Sequence, residues 1–274
     1  MLGAVAGDII GSPFEFDHNR DEAHSMNFPL VSERSCFTDD SVMTMAVADA
    51  LMKTFTVKYM LYDGAEEEFE YQVIKSMRSV ADIYPDAGYG IRFARWLLSK
   101  DPQPYGSYGN GSAMRVSPVA WAFNDLEAVE KFAEISARVT HNHPEGIKGA
   151  QAAAGAIFLA RTGKTKPEIK SYVTGKYGYN LSRTLDEIRP DYYHVESCQE
   201  TVPEAVTAFL EGDSFEGVAR CAVSLSGDSD TLTAIACSIA EGFYGIPEGI
   251  NALLLPKLDD FMTDLLLKWE LWRA

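Results

Sequence analysis

Residues 145–160 read EGIKGAQAAAGAIFLA, and residues 231–244 read TLTAIACSIAEGFY. The first segment is rich in alanine and nearly all apolar, and the second is apolar over most of its length. A helix that is apolar on every side lies in the core of a large protein or in a membrane. Both segments are shorter than the roughly 20 residues of a membrane span, and they carry Lys, Gln or Glu. We therefore expect two central helices in a globular fold.

Amphipathic segments flank these two central helices on both sides. The spacing of their apolar residues predicts helices over 40–54, 65–80, 90–98, 126–139, 166–177, 203–210, 215–224 and 258–271. The alternation of apolar and polar residues that is typical of a strand is weak throughout, and 192–196 is the best short strand candidate. The pattern predicts an all-α fold, with many helices in a compact orthogonal arrangement and one domain over residues 1–274.

The charge of the chain limits its partners. Its 24 Lys and Arg against 40 Asp and Glu give a net charge of −16. Such a chain is repelled by nucleic acid and by anionic membranes unless its cations are segregated, and no basic run segregates them. We expect a monomer without nucleic-acid or membrane partners.

The N-terminus and the cysteines indicate the compartment. Met1–Gly7 has no basic region and is followed by Asp8, so it does not resemble a signal peptide. The four cysteines are scattered, without a CxxC pair. Scattered cysteines of this kind are typical of reduced thiols, and the sequence predicts a cytoplasmic protein.

Two acidic segments stand directly before apolar helical runs. Thr38-Asp39-Asp40-Ser41 precedes the helix predicted near 40–54, and Asp228-Ser229-Asp230-Thr231 precedes the second central helix. Helix capping explains either segment alone, because Asp, Ser and Thr are preferred N-cap residues. Both together hold more carboxylates than capping needs, and oxygen ligands suit hard divalent cations. If the two helix starts meet, their carboxylates can hold a pair of ions.

A glycine-rich segment, Gly106-Ser107-Tyr108-Gly109-Asn110-Gly111-Ser112, precedes a short predicted helix start. Glycines let backbone amides face an anion, although a plain turn is the commoner explanation. The segment lacks the lysine of a nucleotide-binding P-loop and follows no strand, so it is not a dinucleotide fingerprint.

Several further residues allow both a structural and a functional interpretation. Gly3, Gly7 and Gly11 form a ladder that indicates close helix packing, and Glu15 after it is a surface residue or a carboxylate facing the metals. His141 and His143 form a His-x-His pair that can bind a metal, cap the helix that follows, or contact a ligand through one ring. Asp86 lies in a Pro-Asp-Ala-Gly turn, where Asp is common. Four methionines at core-like spacings are interpreted as packing residues: Met43, Met45, Met52 and Met60.

Five of these segments, in this order, resemble the ADP-ribosylglycohydrolase family, which includes the dinitrogenase-reductase-activating glycohydrolases. They are 7–15 (GDIIGSPFE), 37–41 (FTDDS), 106–115 (GSYGNGSAMR), 140–141 (TH) and 227–231 (GDSDT). The resemblance departs from the family at Ser226 and Ser229, where members often have Gly and Thr.

The resemblance implies an all-helical fold with a binuclear Mg²⁺ or Mn²⁺ centre. It implies metal ligation by Thr38, Asp39, Asp40, Asp228, Asp230 and Thr231. It implies contacts to ADP-ribose from Ser107, Tyr108, Gly109, Asn110, Gly111 and His141. Glu15 matches a carboxylate beside the metals in part of the family, and Asp86 is the nearest candidate for an acid/base Asp before a glycine turn.

The resemblance implies hydrolysis of the C1″ bond between ADP-ribose and a modified acceptor, an ADP-ribosylated protein or a small ADP-ribosyl substrate. Arginine linkage is the family-based expectation. Alternatives are serine-linked ADP-ribose, O-acetyl-ADP-ribose or a nucleic-acid end on the same centre, the last disfavoured by the acidity of the chain, a metal-dependent phosphoesterase, and a non-catalytic ADP-ribose-binding protein. The sequence does not distinguish Mg²⁺ from Mn²⁺, because both prefer oxygen ligands.

Overall fold

The computed structural model describes residues 1–55 and 61–274. Its α-helices are α1 Leu2–Gly11, α2 Arg20–Ser25, α3 Asp39–Thr54, α4 Ala65–Ala81, α5 Ile91–Leu97, α6 Gly111–Met114, α7 Ser117–Ala122, α8 Leu126–Arg138, α9 Pro144–Arg161, α10 Lys166–Tyr177, α11 Leu185–Ile188, α12 Cys198–Glu211, α13 Phe215–Val223, α14 Ser229–Tyr244, α15 Glu248–Leu254 and α16 Asp260–Arg273. Two 3₁₀ helices cover Ser12–Asp17 and Leu255–Lys257.

The predicted all-α class is confirmed. Among the described residues, the only β pairing is an isolated bridge between Gly109 and Ser197. The strand candidate 192–196 is not a strand: the segment has no regular secondary structure, and the isolated bridge involves Ser197 directly after it. Within the same residues, no helix combines the length and apolar character needed to cross a bilayer.

The two apolar segments form central helices, as predicted. In α14 every residue from Ser229 to Ala240 is buried, and α9 buries most of its Ala and Gly residues. One hydrophobic core contains residues from both ends of the chain, including Met1 and Trp269. Met43 and Met45 lie in this core and Met52 packs against it, whereas Met60 lies outside the described residues.

The glycine ladder brings α1 against α14, which confirms its interpretation as a packing device. A Cβ atom at Gly7 would lie 2.2 Å from the Thr233 carbonyl oxygen, and one at Gly11 would lie 2.4 Å from the Ser229 oxygen. No side chain fits in that space, so the two helix backbones touch. This contact carries the C-terminal half of α1, with Asp8, to the start of α14.

Candidate metal centre

Helices α3 and α14 begin next to each other, so the two acidic segments meet. The Thr231 hydroxyl donates to Asp40 Oδ2 at 3.0 Å. The Thr38 hydroxyl lies 3.4 Å from Asp230 Oδ2. A metal site shared by the two acidic segments requires that the two helix starts meet, and they do.

Capping accounts for only one of the two segments. The Thr38 hydroxyl oxygen caps α3 by accepting from the Asp40 amide at 3.3 Å. Asp228 occupies the N-cap position of α14, but its side chain makes no capping hydrogen bond with the described residues. Its Oδ2 instead accepts from Asn110 Nδ2 at 2.6 Å. The two segments thus contain more acidic side chains than capping of the two helices uses.

Asp8 is a site residue that the sequence prediction did not single out. It is fully buried on α1, and its carboxylate accepts from the Thr38 amide and hydroxyl, both at 2.8 Å. It also accepts from the Ser41 amide at 3.0 Å and from the Ser41 hydroxyl. A buried carboxylate with this many donors holds the first turn of α3 in place. Its position in the matched stretch 7–15 is the only signal in the sequence that could have indicated it.

Glu15 and Asp86 differ in their surroundings. A carboxylate oxygen of Glu15 lies with one of Asp228 and one of Asp230 in a group whose atoms are all within 4.8 Å of one another. Asp86 is exposed, and its turn approaches the centre through the Ala87 carbonyl, which accepts from the Asp39 amide at 2.8 Å. The carboxylates gathered here, called the acidic centre below, are Asp8, Glu15, Asp39, Asp40, Asp228 and Asp230.

Burial and mutual repulsion make these carboxyl groups hard to ionise. Burial, reinforced by Asp230, raises the pKa of Asp8 to about 7. The same two causes, in the same order, raise the pKa of Glu15 and of Asp39 to about 8. They also raise the pKa values of Asp40 and Asp228 well above the usual range. Protons or a bound cation must neutralise such a group.

The residues present fit a divalent cation. Asp40 is 3% exposed, and its Oδ1 has no hydrogen-bond partner among the described residues. A buried carboxylate oxygen without a donor is costly unless a cation neutralises it. The donors around it are carboxylate and hydroxyl oxygens, the set that Mg²⁺ and Mn²⁺ prefer.

The glycine-rich segment is connected to the acidic centre by Asn110. Its side-chain amide donates to Asp228 and, at 3.0 Å, to the Thr201 hydroxyl, so it points inward. The amides of Gly106, Ser107, Gly109 and Asn110 already donate to protein acceptors. In the described part of the chain, the amides of Tyr108 and Gly111 have no such acceptor. These two are the amides that the segment can offer to an anion.

His141 lies directly beneath this segment in its neutral form. A Cβ atom added at Gly109 or Gly111 would lie 3.5 Å from its Nε2. Burial, together with Arg115 and Arg92, lowers the pKa of His141 well below its usual value. Thr140 Oγ1 accepts from Arg115 at 2.8 Å and lies 2.7 Å from His141 Nδ1. When this hydroxyl donates to Nδ1, the proton of the neutral ring is on Nε2, where it can donate to a ligand.

The comparison with known proteins agrees with this geometry. A family model described as ADP-ribosylglycohydrolase matches residues 1–273. The chain belongs to the ADP-ribosylglycohydrolase family. It is 26% identical over 310 residues to human ADP-ribosylhydrolase ARH3, covering 90% of this chain and 85% of that protein. It is 25% identical to ADP-ribosylarginine hydrolase Tri1 of Pseudomonas putida, covering 90% of this chain and 70% of the relative.

Further relatives extend the comparison. An uncharacterized protein from Archaeoglobus fulgidus is 37% identical, with 90% of this chain and 88% of the relative covered. A solved ADP-ribosylglycohydrolase-related protein complex contains a chain with a TM-score of 0.70 and 21% identity. That match covers 100% of this chain and 96% of the other. This structural likeness supports the all-helical fold.

The tertiary structure brings most of the predicted site residues of this ADP-ribosylglycohydrolase together. At the starts of α3 and α14, Thr38 lies near Asp230, Thr231 contacts Asp40, and Glu15 groups with Asp228 and Asp230. Burial and the charge of Asp230 raise the pKa of Asp39. Asn110 adjoins this group through Asp228, and His141 lies against the glycine-rich segment. Asp86 is exposed. The sequence prediction missed Asp8 and Arg115, whose side chains position Thr38 and Thr140.

Proposed function

We propose that this chain is a divalent-metal-dependent hydrolase that releases ADP-ribose from ADP-ribosyl-arginine on proteins by cleaving the C1″ bond. The family and the names of the relatives support an ADP-ribosyl hydrolase. The similarity to the ADP-ribosylarginine hydrolase of Pseudomonas putida favours arginine as the acceptor. The observation that carries the metal dependence is the orphaned, buried Oδ1 of Asp40 among carboxylate and hydroxyl oxygens.

Two cations would be held by Thr38, Asp39, Asp40, Asp228, Asp230 and Thr231. When bound, Mg²⁺ or Mn²⁺ supplies orientation and charge stabilisation, without redox chemistry. Asp8 fixes the first turn of α3, so that Thr38, Asp39 and Asp40 keep a constant orientation. Asn110 holds the Asp228 carboxylate by donating to its Oδ2.

Glu15 is the stronger candidate for the acid/base group. It is half-buried beside Asp228 and Asp230, whereas Asp86 is exposed. In the proposed reaction a water oxygen bonds to C1″, the bond from C1″ to the acceptor atom breaks, and the acceptor leaves with a proton. Glu15 would take the proton from the water, because a carboxylate beside C1″ commonly serves glycoside cleavage.

The diphosphate would bind at the glycine-rich segment. The donors proposed for it are the amides of Tyr108 and Gly111, which have no acceptor among the described residues, and the Nε2–H of His141 next to the same segment. A neutral imidazole donor beneath a glycine-rich segment can bind a phosphate oxygen without a further buried charge. Ser107 and Gly109 shape the loop, since the Ser107 hydroxyl accepts from the Gly109 amide at 3.2 Å.

The test is an assay with arginine-, serine- and acid-linked ADP-ribosyl peptides, with Mg²⁺ and with EDTA. We expect free ADP-ribose as the product from the arginine-linked peptide, and loss of turnover in EDTA. Asp39→Ala should fold and be inactive, whereas Asp264→Ala, an exposed aspartate on α16, should retain activity. Release of phosphate or AMP would instead support a phosphoesterase, and ADP-ribose binding without turnover a non-catalytic protein.

A further inference from the structure

Exposed aromatic side chains border the acidic centre. Phe16 is 58% exposed and Tyr193 is 60% exposed. The Phe16 ring stacks on His194, with ring centroids 4.8 Å apart and an interplanar angle of 27°. His194 Nε2 lies 3.1 Å from a carboxylate oxygen of Glu196, whose side chain is 72% exposed. We call Phe16, Tyr193, His194 and Glu196 the aromatic rim.

The backbone holds Phe16 outward at a conformational cost. Its φ of 55° and ψ of 36° lie in the left-handed region, which a bulky side chain rarely adopts. Its amide donates to the Gly227 carbonyl oxygen at 3.0 Å. Such outliers occur where the surrounding structure imposes them, often at binding sites. An apolar ring kept in solvent in this way indicates a surface that a ligand covers.

The rim adjoins both parts of the candidate active site. Phe16 directly follows Glu15 in the chain. Gly227 connects Phe16 to the rest of the rim, since a Cβ atom there would lie 2.8 Å from the Tyr193 oxygen. The Glu196 carbonyl accepts from the Asn110 amide at 2.7 Å, and the Asn110 side chain holds Asp228. The rim therefore lies between Glu15 and the glycine-rich segment.

The charge at the rim suits a cation. Glu196 presents a largely exposed carboxylate, and it is near enough to contribute to the raised pKa values of Glu15 and Asp39. A planar guanidinium stacks on aromatic faces and pairs with carboxylates, and both groups are present here. A serine oxygen or an acetyl group carries no charge, so it gains nothing from either contact.

We propose that the aromatic rim is an acceptor subsite, in which the guanidinium of the modified arginine stacks on Phe16 and pairs with Glu196. This inference rests on the proposed function, because the acceptor bonded to C1″ leaves beside Glu15. The rim thereby selects arginine over uncharged acceptors, whereas ADP-ribose itself is bound by the acidic centre and the glycine-rich segment.

The test compares Phe16→Ala and Glu196→Gln with two matched controls. Tyr71→Ala removes another exposed ring, and Glu127→Gln another exposed carboxylate, both on helices remote in sequence from the site. The measurements are kcat/KM for an arginine-linked ADP-ribosyl peptide and, by calorimetry, the Kd for free ADP-ribose. Each rim variant should lower kcat/KM about fivefold, the upper end of the scale for an exposed cation–π contact or ion pair. The Kd for ADP-ribose should change less than about twofold, and the controls should match the wild type.

Two results would overturn the subsite and leave the proposed function standing. One is an unchanged kcat/KM for the arginine-linked peptide in both rim variants. The other is an equal weakening of ADP-ribose binding, which would place the rim against ADP-ribose. A wild-type enzyme that releases ADP-ribose from uncharged acceptors only would overturn both the subsite and arginine as the acceptor, and would leave only a metal-dependent ADP-ribosyl hydrolase. If no acceptor is hydrolysed, the proposed function itself fails, and the acceptor subsite fails with it.

Discussion

Asp8 is the residue on which the arrangement of the acidic centre depends most directly. It is fully buried, yet its carboxylate accepts hydrogen bonds from Thr38 and Ser41 instead of facing solvent. Groups that orient metal ligands affect metal binding almost as strongly as the ligands do. Asp8 has this relation to Thr38, Asp39 and Asp40.

Asp8→Asn should weaken divalent-cation binding by about 10- to 100-fold, because it removes a charge and an acceptor beneath the ligands while keeping the side-chain shape. The measurement is the Mg²⁺ concentration that gives half-maximal release of ADP-ribose. Asp264→Asn, on the exposed side of α16, is the control. An Mg²⁺ midpoint that Asp8→Asn leaves unchanged would mean that Asp8 has no role in the centre.

Ser226 occupies a position where the family often has glycine, and its backbone gives the reason. Its φ is 62°, and its buried hydroxyl has no partner among the described residues. Ser226→Gly should raise the free energy of unfolding by about 1 kcal/mol, since the left-handed conformation costs roughly that much for a residue with a Cβ. Denaturant unfolding checks this. Ser171→Gly, in the exposed part of α10, is the control and should lower stability by a few tenths of a kcal/mol.

At the scale of elements, the contact between α1 and α14 determines where the carboxylates lie. Glycines four residues apart lie on one side of a helix, so Gly3, Gly7 and Gly11 form a continuous flat surface. The α14 backbone rests on that surface. Asp8 and Glu15 reach the starts of α3 and α14 because of this close approach.

Gly7→Ala should lower the free energy of unfolding by at least about 2 kcal/mol, because its Cβ would lie 2.2 Å from the Thr233 oxygen. It should also reduce Mg²⁺-dependent activity, since α1 carries Asp8. Gly175→Ala has open space around its Cβ position in α10 and should stabilise the chain by about 0.5 to 1 kcal/mol. Equal effects of the two substitutions on thermal unfolding would contradict the packing role of Gly7.

Most helix predictions are confirmed to within two residues, including α10 over Lys166–Tyr177 and the Asp125 cap of α8. The predicted ranges did not include α1 or the short helices α2, α7, α11 and α15. The glycines of α1 have low helix propensity, and only their contact with α14 explains them. The helix predicted from residue 203 begins at Cys198 instead, because Pro203 lies inside α12 and not in its first turn.

At the scale of the whole molecule, the charge of −16 is unevenly distributed, since several carboxylates converge on one buried centre. The raised pKa values make the free energy of unfolding depend on pH. Asp8, Glu15 and Asp39 ionise near pH 4 in the unfolded chain but near pH 7 to 8 in the folded chain. The stabilisation that these three groups contribute is therefore fully present below about pH 4 and is lost as the pH rises through their folded pKa values.

In EDTA, the melting temperature should therefore fall between about pH 5 and about pH 8.5. Saturating Mg²⁺ should remove most of this fall, because a cation binds the ionised carboxylates of the folded state. Scanning calorimetry across this range measures both curves, and Asp39→Asn should flatten the curve in EDTA. A melting temperature in EDTA that rises over this pH range, or is unaffected by Mg²⁺ at its upper end, would contradict the assignment.

The amino-acid sequence by itself determined the helical class, most helix bounds and the residue types of the site, because apolar periodicity and capping act over a few neighbouring residues. The family motifs indicated most of the residues that meet. Only the tertiary structure decided that Thr231 meets Asp40, 191 positions away, that Asn110 turns inward to Asp228, and that Phe16 stacks on His194. Such contacts depend on how whole helices pack against each other. That packing is determined by the volumes of core side chains far from the site.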